Sequence, residues 1–113
     1  MNVQFEERGT VGVVTPQESM TADSVDSLKD QFVDWLGRTG SVKNVVVNLA
    51  KVDFMDSSGL GALIALLKRV SERGGDLKIA CLPKKIRMVF EITRAHKIFE
   101  ITDSVEEAVS ICP

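Results

Sequence analysis

The strongest constraint on this chain is a change of hydrophobic period in its middle. Asn44-Val45-Val46-Val47-Asn48-Leu49 is a β-branched run with a polar residue on each side of its Val core, the pattern of a short strand buried on both faces. After the polar stretch Lys51-Val52-Asp53-Phe54-Met55-Asp56-Ser57-Ser58-Gly59, the spacing becomes helical: Leu60, Leu63, Ile64, Leu67 and Val70 recur on one side, with Lys68, Arg69, Ser71 and Glu72 on the other. Gly74-Gly75 stops the pattern. Strand, loop and helix therefore follow one another here, and the Leu60–Val70 stripe is expected to face the core.

Asp56, Ser57 and Ser58 fall where that helix begins, so any of the three can accept from the free N–H groups of the first turn. They are open to two readings. In one, Asp-Ser-Ser is a helix cap and the glycines let the backbone approach the sheet. In the other, an exposed serine hydroxyl at a helix N-terminus is a phosphorylation site, where the added dianion meets the favourable end of the helix dipole. Spacing alone does not choose between them.

The motif in its setting does. Met55-Asp56-Ser57-Ser58-Gly59-Leu60-Gly61, between the Val-rich strand and the Leu-rich helix and followed by Gly74-Gly75-Asp76-Leu77, resembles the STAS domain family, and within it the small bacterial anti-sigma factor antagonists. The likeness runs over about residues 42 to 109 and includes Ile86-Arg87-Met88-Val89-Phe90-Glu91-Ile92-Thr93, Lys97-Ile98-Phe99-Glu100-Ile101 and Asp103-Ser104-Val105-Glu106-Glu107-Ala108. The resemblance implies that the serine directly after the Asp, here Ser57, is phosphorylated by a partner that is both anti-sigma factor and serine kinase. It also implies a serine phosphatase that resets the site, and a partner-binding surface at Asp56, Ser57, Ser58 and Gly59. Family members commonly carry Gly-x-x-Asp in the loop after the second strand. This chain has Pro16-Gln17-Glu18-Ser19 there, with about two extra residues before the next helix, and Glu18 and Asp23 are the acids left to take that place.

The remaining sequence supplies a frame for this centre. Residues 2 to 15 alternate as a hairpin, with Val3 and Phe5 before Gly9 and with Val11, Val13 and Val14 after it, and Pro16 ends it. From Asp23 or Ser24, the residues Val25, Leu28, Phe32 and Leu36 fall at helical spacing until Gly37 to Gly40, with Trp35 at the edge of the core. Leu77 to Leu82 reads as a fourth strand closed by Pro83, and Cys81 within it as a small core residue. Residues 84 to 94 form an amphipathic helix on Ile86, Val89 and Phe90. Ile98 to Ile101 is a last strand, and Thr102 or Asp103 caps a final helix that buries Val105, Ala108 and Val109.

The 113 residues suit one domain, taken as a single STAS-like domain over 1–113. Its element order predicts a mostly parallel mixed α/β sheet of about five strands with four helices and an antiparallel N-terminal hairpin. Functional groups in such sheets collect at the carboxyl ends of the strands. Ser57 and the loop from Pro16 to Ala22 are therefore expected to be neighbours.

Other chemistries find little footing. A net charge of −2 offers no cationic field for nucleic acid, and no apolar run reaches the ~20 residues of a membrane span. Met1 to Glu7 lacks the regions of a signal peptide, which points to the cytoplasm. The one histidine, His96, is remote from the serines in sequence and there is no Gly-x-Ser-x-Gly elbow, which argues against a hydrolase. Gly59 and Gly61 are not followed by Gly-Lys-Ser/Thr, and Cys81 and Cys112 stand in no metal-ligand pattern, so neither cofactor nor metal is expected. Two alternatives remain: a receiver-like domain phosphorylated on Asp53 or Asp56, and an unswitched STAS subunit of a larger complex such as a lipid-transport assembly.

Overall fold

The computed structural model describes residues 1–113. In chain order it contains β1 (Val3–Arg8), β2 (Val11–Pro16), α1 (Val25–Arg38), β3 (Asn44–Asn48), α2 (Ser57–Glu72), β4 (Leu77–Ala80), α3 (Lys84–Ile92), a 3-10 turn (Ala95–Lys97), β5 (Glu100–Thr102) and α4 (Val105–Ser110). The five strands lie side by side in sequence order, with β1 antiparallel to β2 and every later pair parallel. Gly9, at φ +64°, supplies the left-handed step that joins β1 to β2.

Alternation along each strand sorts the side chains into two layers. Val14, Val45, Val47, Leu77 and Ile79 face α1, α2 and α3 in the larger core, whereas Val11, Val13, Val46 and Ala80 face α4 through Val105 and Ala108. Burial on both sides is why β3 reads as unbroken Val. Gly12 leaves space for the Trp35 ring, which stacks on Phe5 with centroids 5.0 Å apart, so the Trp is a core residue. Arg73 fastens the far ends of α1 and α2, donating to the carbonyls of Leu36 at 2.7 Å, Thr39 at 3.3 Å and Val42 at 3.3 Å.

Several boundaries and faces differ from the sequence expectation. In α2, Leu60, Leu63 and Val70 are buried as expected, but Leu66 is also buried, Leu67 is half-buried and Ile64 is 41% exposed. Gly59 and Ala62 are both buried, so the helix turns this small-residue side toward the sheet and carries Ile64 outward. The fourth strand ends at Ala80 because Cys81 takes φ +61°, and Cys81 is half-buried at the margin of the α4 layer. The last strand begins at Glu100: Ile98 and Phe99 donate their N–H groups to the Ala95 carbonyl, and Phe99 packs on Phe90 with centroids 5.9 Å apart. The final helix is capped by Ser104, which accepts from Glu107 N–H at 3.1 Å, rather than by Thr102 or Asp103.

Candidate functional site

The strands β2 and β3 run parallel, so the loops that leave their carboxyl ends emerge side by side. Those loops are joined by an isolated parallel bridge between Met20 and Met55. Met20 N–H donates to the Phe54 carbonyl at 2.9 Å, and Asp56 N–H donates to the Met20 carbonyl at 3.2 Å. Both methionines are buried, so the paired loops rest on an apolar footing instead of standing free in water.

Asp56 then starts α2. Its Oδ1 accepts from Ser58 N–H at 2.9 Å and Gly59 N–H at 3.1 Å, while Oδ2 accepts from Ala22 N–H at 3.3 Å. Of the three residues able to cap the helix, it is the Asp that does so. The Ser58 hydroxyl takes no part in the cap. Gly59 is required by space: a Cβ there would lie 2.5 Å from the Met20 carbonyl oxygen and 2.6 Å from Met55 Cγ. Gly61 faces open space and carries no such requirement.

Ser57, the first helical residue, is exposed, and Ser58 is half-buried. The loop from Pro16 to Ala22 is beside them, as the carboxyl-end rule anticipates. Asp23 is exposed one residue beyond Ala22. Glu18 is exposed as well, but its carboxylate turns to the N-terminal strand, accepting from Asn2 N–H at 3.4 Å. Asp53 and Phe54 border the site and are exposed. His96 is elsewhere, with Nδ1 donating to the Phe90 carbonyl at 3.2 Å. Sequence reasoning missed Met20 and Ala22; an isolated Met in the polar run Glu18-Ser19-Met20-Thr21 was the available signal.

The largest cleft in the surface, about 370 Å³, runs along α2 past Lys68, Arg69 and Glu72, and two smaller ones lie between α1 and α2, all away from Asp56. The start of α2 instead presents the exposed Ser57 at the positive end of the helix, while the Ser58 and Gly59 N–H groups are taken by Asp56. Such a surface can be touched by another macromolecule.

A family model described as STAS domain matches residues 2–108. The chain is 26% identical over 112 residues to the anti-sigma F factor antagonist of Paenibacillus polymyxa, covering 97% of this chain and 95% of that one. Its fold is similar to the crystal structure of an anti-sigma factor antagonist from Mycobacterium paratuberculosis, at TM-score 0.85 and 19% identity over 98% of this chain and 92% of that one. It is also similar in fold to the antagonist SpoIIAA, at 19% identity to both forms. The unphosphorylated form has TM-score 0.78 over 96% of this chain and 93% of that one, and the phosphorylated Bacillus form has TM-score 0.71 over 96% and 97%.

Proposed function

Since the chain belongs to the STAS domain family, we propose that it is an anti-sigma factor antagonist switched by phosphorylation. On this reading it is a binding protein and not an enzyme. It holds an anti-sigma factor with serine kinase activity while Ser57 is unmodified and releases it once Ser57 is phosphorylated, so transcription is regulated indirectly. ATP belongs to the partner, and a separate serine phosphatase resets the site.

The observation that carries this reading is the division of roles at the start of α2. Asp56 supplies the cap, which leaves the Ser57 hydroxyl exposed one residue later at the positive end of the helix. The names of relatives support it, as does a structural neighbour solved both with and without phosphate. Asp56, Ser57, Ser58 and Gly59 would form the contact surface, with Asp23 alongside and Glu18 at its margin. For Asp56 the receiver-like alternative is weakened because its oxygens already accept three backbone hydrogen bonds. No helix is long and apolar enough to cross a membrane, and cytoplasmic action agrees with the proposed partners.

Incubation with the cognate kinase and ATP, followed by peptide mass mapping and a binding assay, tests the reading. Label on Ser57 together with loss of the complex is expected. Label on Ser58 alone, or a complex indifferent to phosphorylation as an unswitched STAS subunit would show, overturns it.

A further inference from the structure

Charge is unevenly spread along this chain. From Lys84 to Lys97 there are five Lys and Arg residues against Glu91, a net +4, so the other residues carry −6 of the overall −2. Within this segment α3 is anchored by Ile86 and Phe90, both fully buried, while the opposite side of the helix presents Met88 at 55% and Ile92 at 79% exposure. These two stand one turn apart and form a single apolar stripe. The chain then turns at Arg94, φ +61°, and the His96 bond to the Phe90 carbonyl folds the 3-10 turn back on the end of α3. Ile98 emerges from that turn, also mostly exposed.

The helix is also charged against its own dipole. Lys84 and Lys85 occupy its first turn, Pro83 at the N-cap offers no side-chain acceptor, and no acid is present there. The positive end of a helix favours anions. In contrast, α4 begins with the Ser104 cap and has Glu106 and Glu107 in its first turn, and α2 begins with Asp56. A local arrangement that costs stability while leaving large apolar side chains in water marks a surface kept for contact.

We propose that the face of α3 formed by Lys84, Lys85, Met88 and Ile92 is a docking surface for an acidic amphipathic helix of a protein partner. Apolar residues of that helix cover Met88 and Ile92, and its carboxylates meet the two lysines and the uncapped N-terminus. Charge complementarity selects an acidic occupant. The narrowness of the stripe selects a protein helix over a lipid surface, because interfacial helices bury a broad apolar face and α3 cannot roll to widen its own while Ile86 and Phe90 hold it in the core.

The test is titration of the ¹⁵N-labelled full chain with a designed peptide carrying Leu at i, i+4 and i+7 and Glu between them. The same peptide with Lys in place of Glu, a scrambled Glu peptide, and vesicles of phosphatidylcholine and phosphatidylserine serve as the other arms. Amide shifts confined to residues 84 to 98 and binding that weakens with added salt are expected. Met88→Ser with Ile92→Ser, and separately Lys84→Glu with Lys85→Glu, should each weaken binding roughly 10-fold, the first with melting temperature unchanged and the second with it raised, because acids suit the positive end of the helix. Absence of shifts, shifts elsewhere, equal binding of the Lys or scrambled peptide, or preference for vesicles would overturn the proposal.

Discussion

The Asp56 carboxylate and the Ala22 N–H are 3.3 Å apart, and the other oxygen of the same carboxylate caps α2. One side chain thus fixes both the start of the exposed-serine helix and the loop ahead of α1. Removing it should loosen two segments far apart in sequence. Asp56→Ala is expected to cost about 1–2 kcal/mol, the scale of a lost N-cap, measured by urea denaturation, with amide exchange rising at Ala22 as well as at Ser58 and Gly59. Exchange that rose only within α2 would show that the contact with Ala22 holds nothing in place.

The two glycines of the motif should respond oppositely to Ala. At Gly59 the new methyl meets the Met20 carbonyl, a backbone atom that can retreat only by opening the bridge to Met55. Gly61 sits in open space within a helix, where replacing Gly by Ala stabilises by roughly 0.5–1 kcal/mol. Thermal melts of Gly59→Ala and Gly61→Ala should therefore move in opposite directions.

For the proposed switch, the sign follows from a comparison of magnitudes. Phosphate adds about −1.5 to −2 of charge at Ser57, next to Asp56. The helix end returns about 0.3–1 kcal/mol to that charge when exposed, whereas like charges or an unpaired anion across an interface cost several kcal/mol. Ser57→Ala should hold the anti-sigma partner permanently. Ser57→Asp should bind at least ~10-fold more weakly, or 1.4 kcal/mol, with little change in melting temperature. Calorimetric titration checks this, and tighter binding by Ser57→Asp would invert the mechanism.

Within α2, Leu66 and Leu67 are adjacent but unequal. Leu66 is buried among α1, α2 and sheet residues, and Leu67 only borders that core. Leu66→Ala should lose about 2–5 kcal/mol as a buried large-to-small change, and Leu67→Ala less than half as much. Denaturant midpoints of the two variants rank them directly.

Lys78 is 4% exposed on the α4 face of β4, with its Nζ 3.0 Å from Asp76 Oδ2 and 3.1 Å from Glu100 Oε1. Burial pulls its pKa down, but the hydrogen bonds and charges of the two carboxylates outweigh it, and the ammonium titrates above its ordinary 10.5. A raised lysine pKa means the stabilisation is complete below 10.5 and is lost as pH climbs through the folded value. Removing both acids, Asp76→Asn with Glu100→Gln, strands a buried cation and should cost about 3–5 kcal/mol at neutral pH. Lys78→Met leaves two half-exposed carboxylates that water can hydrate, so it should cost far less. It should also reduce the alkaline drop in stability, leaving the part due to the Cys112 thiol, which burial pushes up, as pH-dependent urea titrations would show.

Reading the sequence worked where a residue's neighbours in the chain determine its environment. Three consecutive Val with polar flanks announced a strand covered on both sides, and the shift to helical spacing after Gly59 located α2. Adjacency of Ser57 to the loop after β2 followed from a general property of parallel sheets. What was not legible depended on partners distant in sequence. The second oxygen of Asp56 finds Ala22 only because two loops align at Met20 and Met55. Ile98 and Phe99 have the composition of a strand, but the reversal at Arg94 and the pull of Phe90 on Phe99 delay pairing to Glu100. Ile64 looked like core because it is large and apolar, while small Ala62 occupies the buried side.

A sheet whose strands stand in the order of synthesis can be assembled from one end to the other. The β1–β2 hairpin closes over two residues, and each later parallel strand needs only its own crossover helix to reach the growing edge. No strand waits for a distant one to slot between it and its neighbour, so loop-closure entropy is met in short instalments. The junction of Met20, Met55 and Asp56 lies wholly within the first sixty residues. It can consolidate once α2 has formed against α1, ahead of the Phe90–Phe99 closure at the opposite edge.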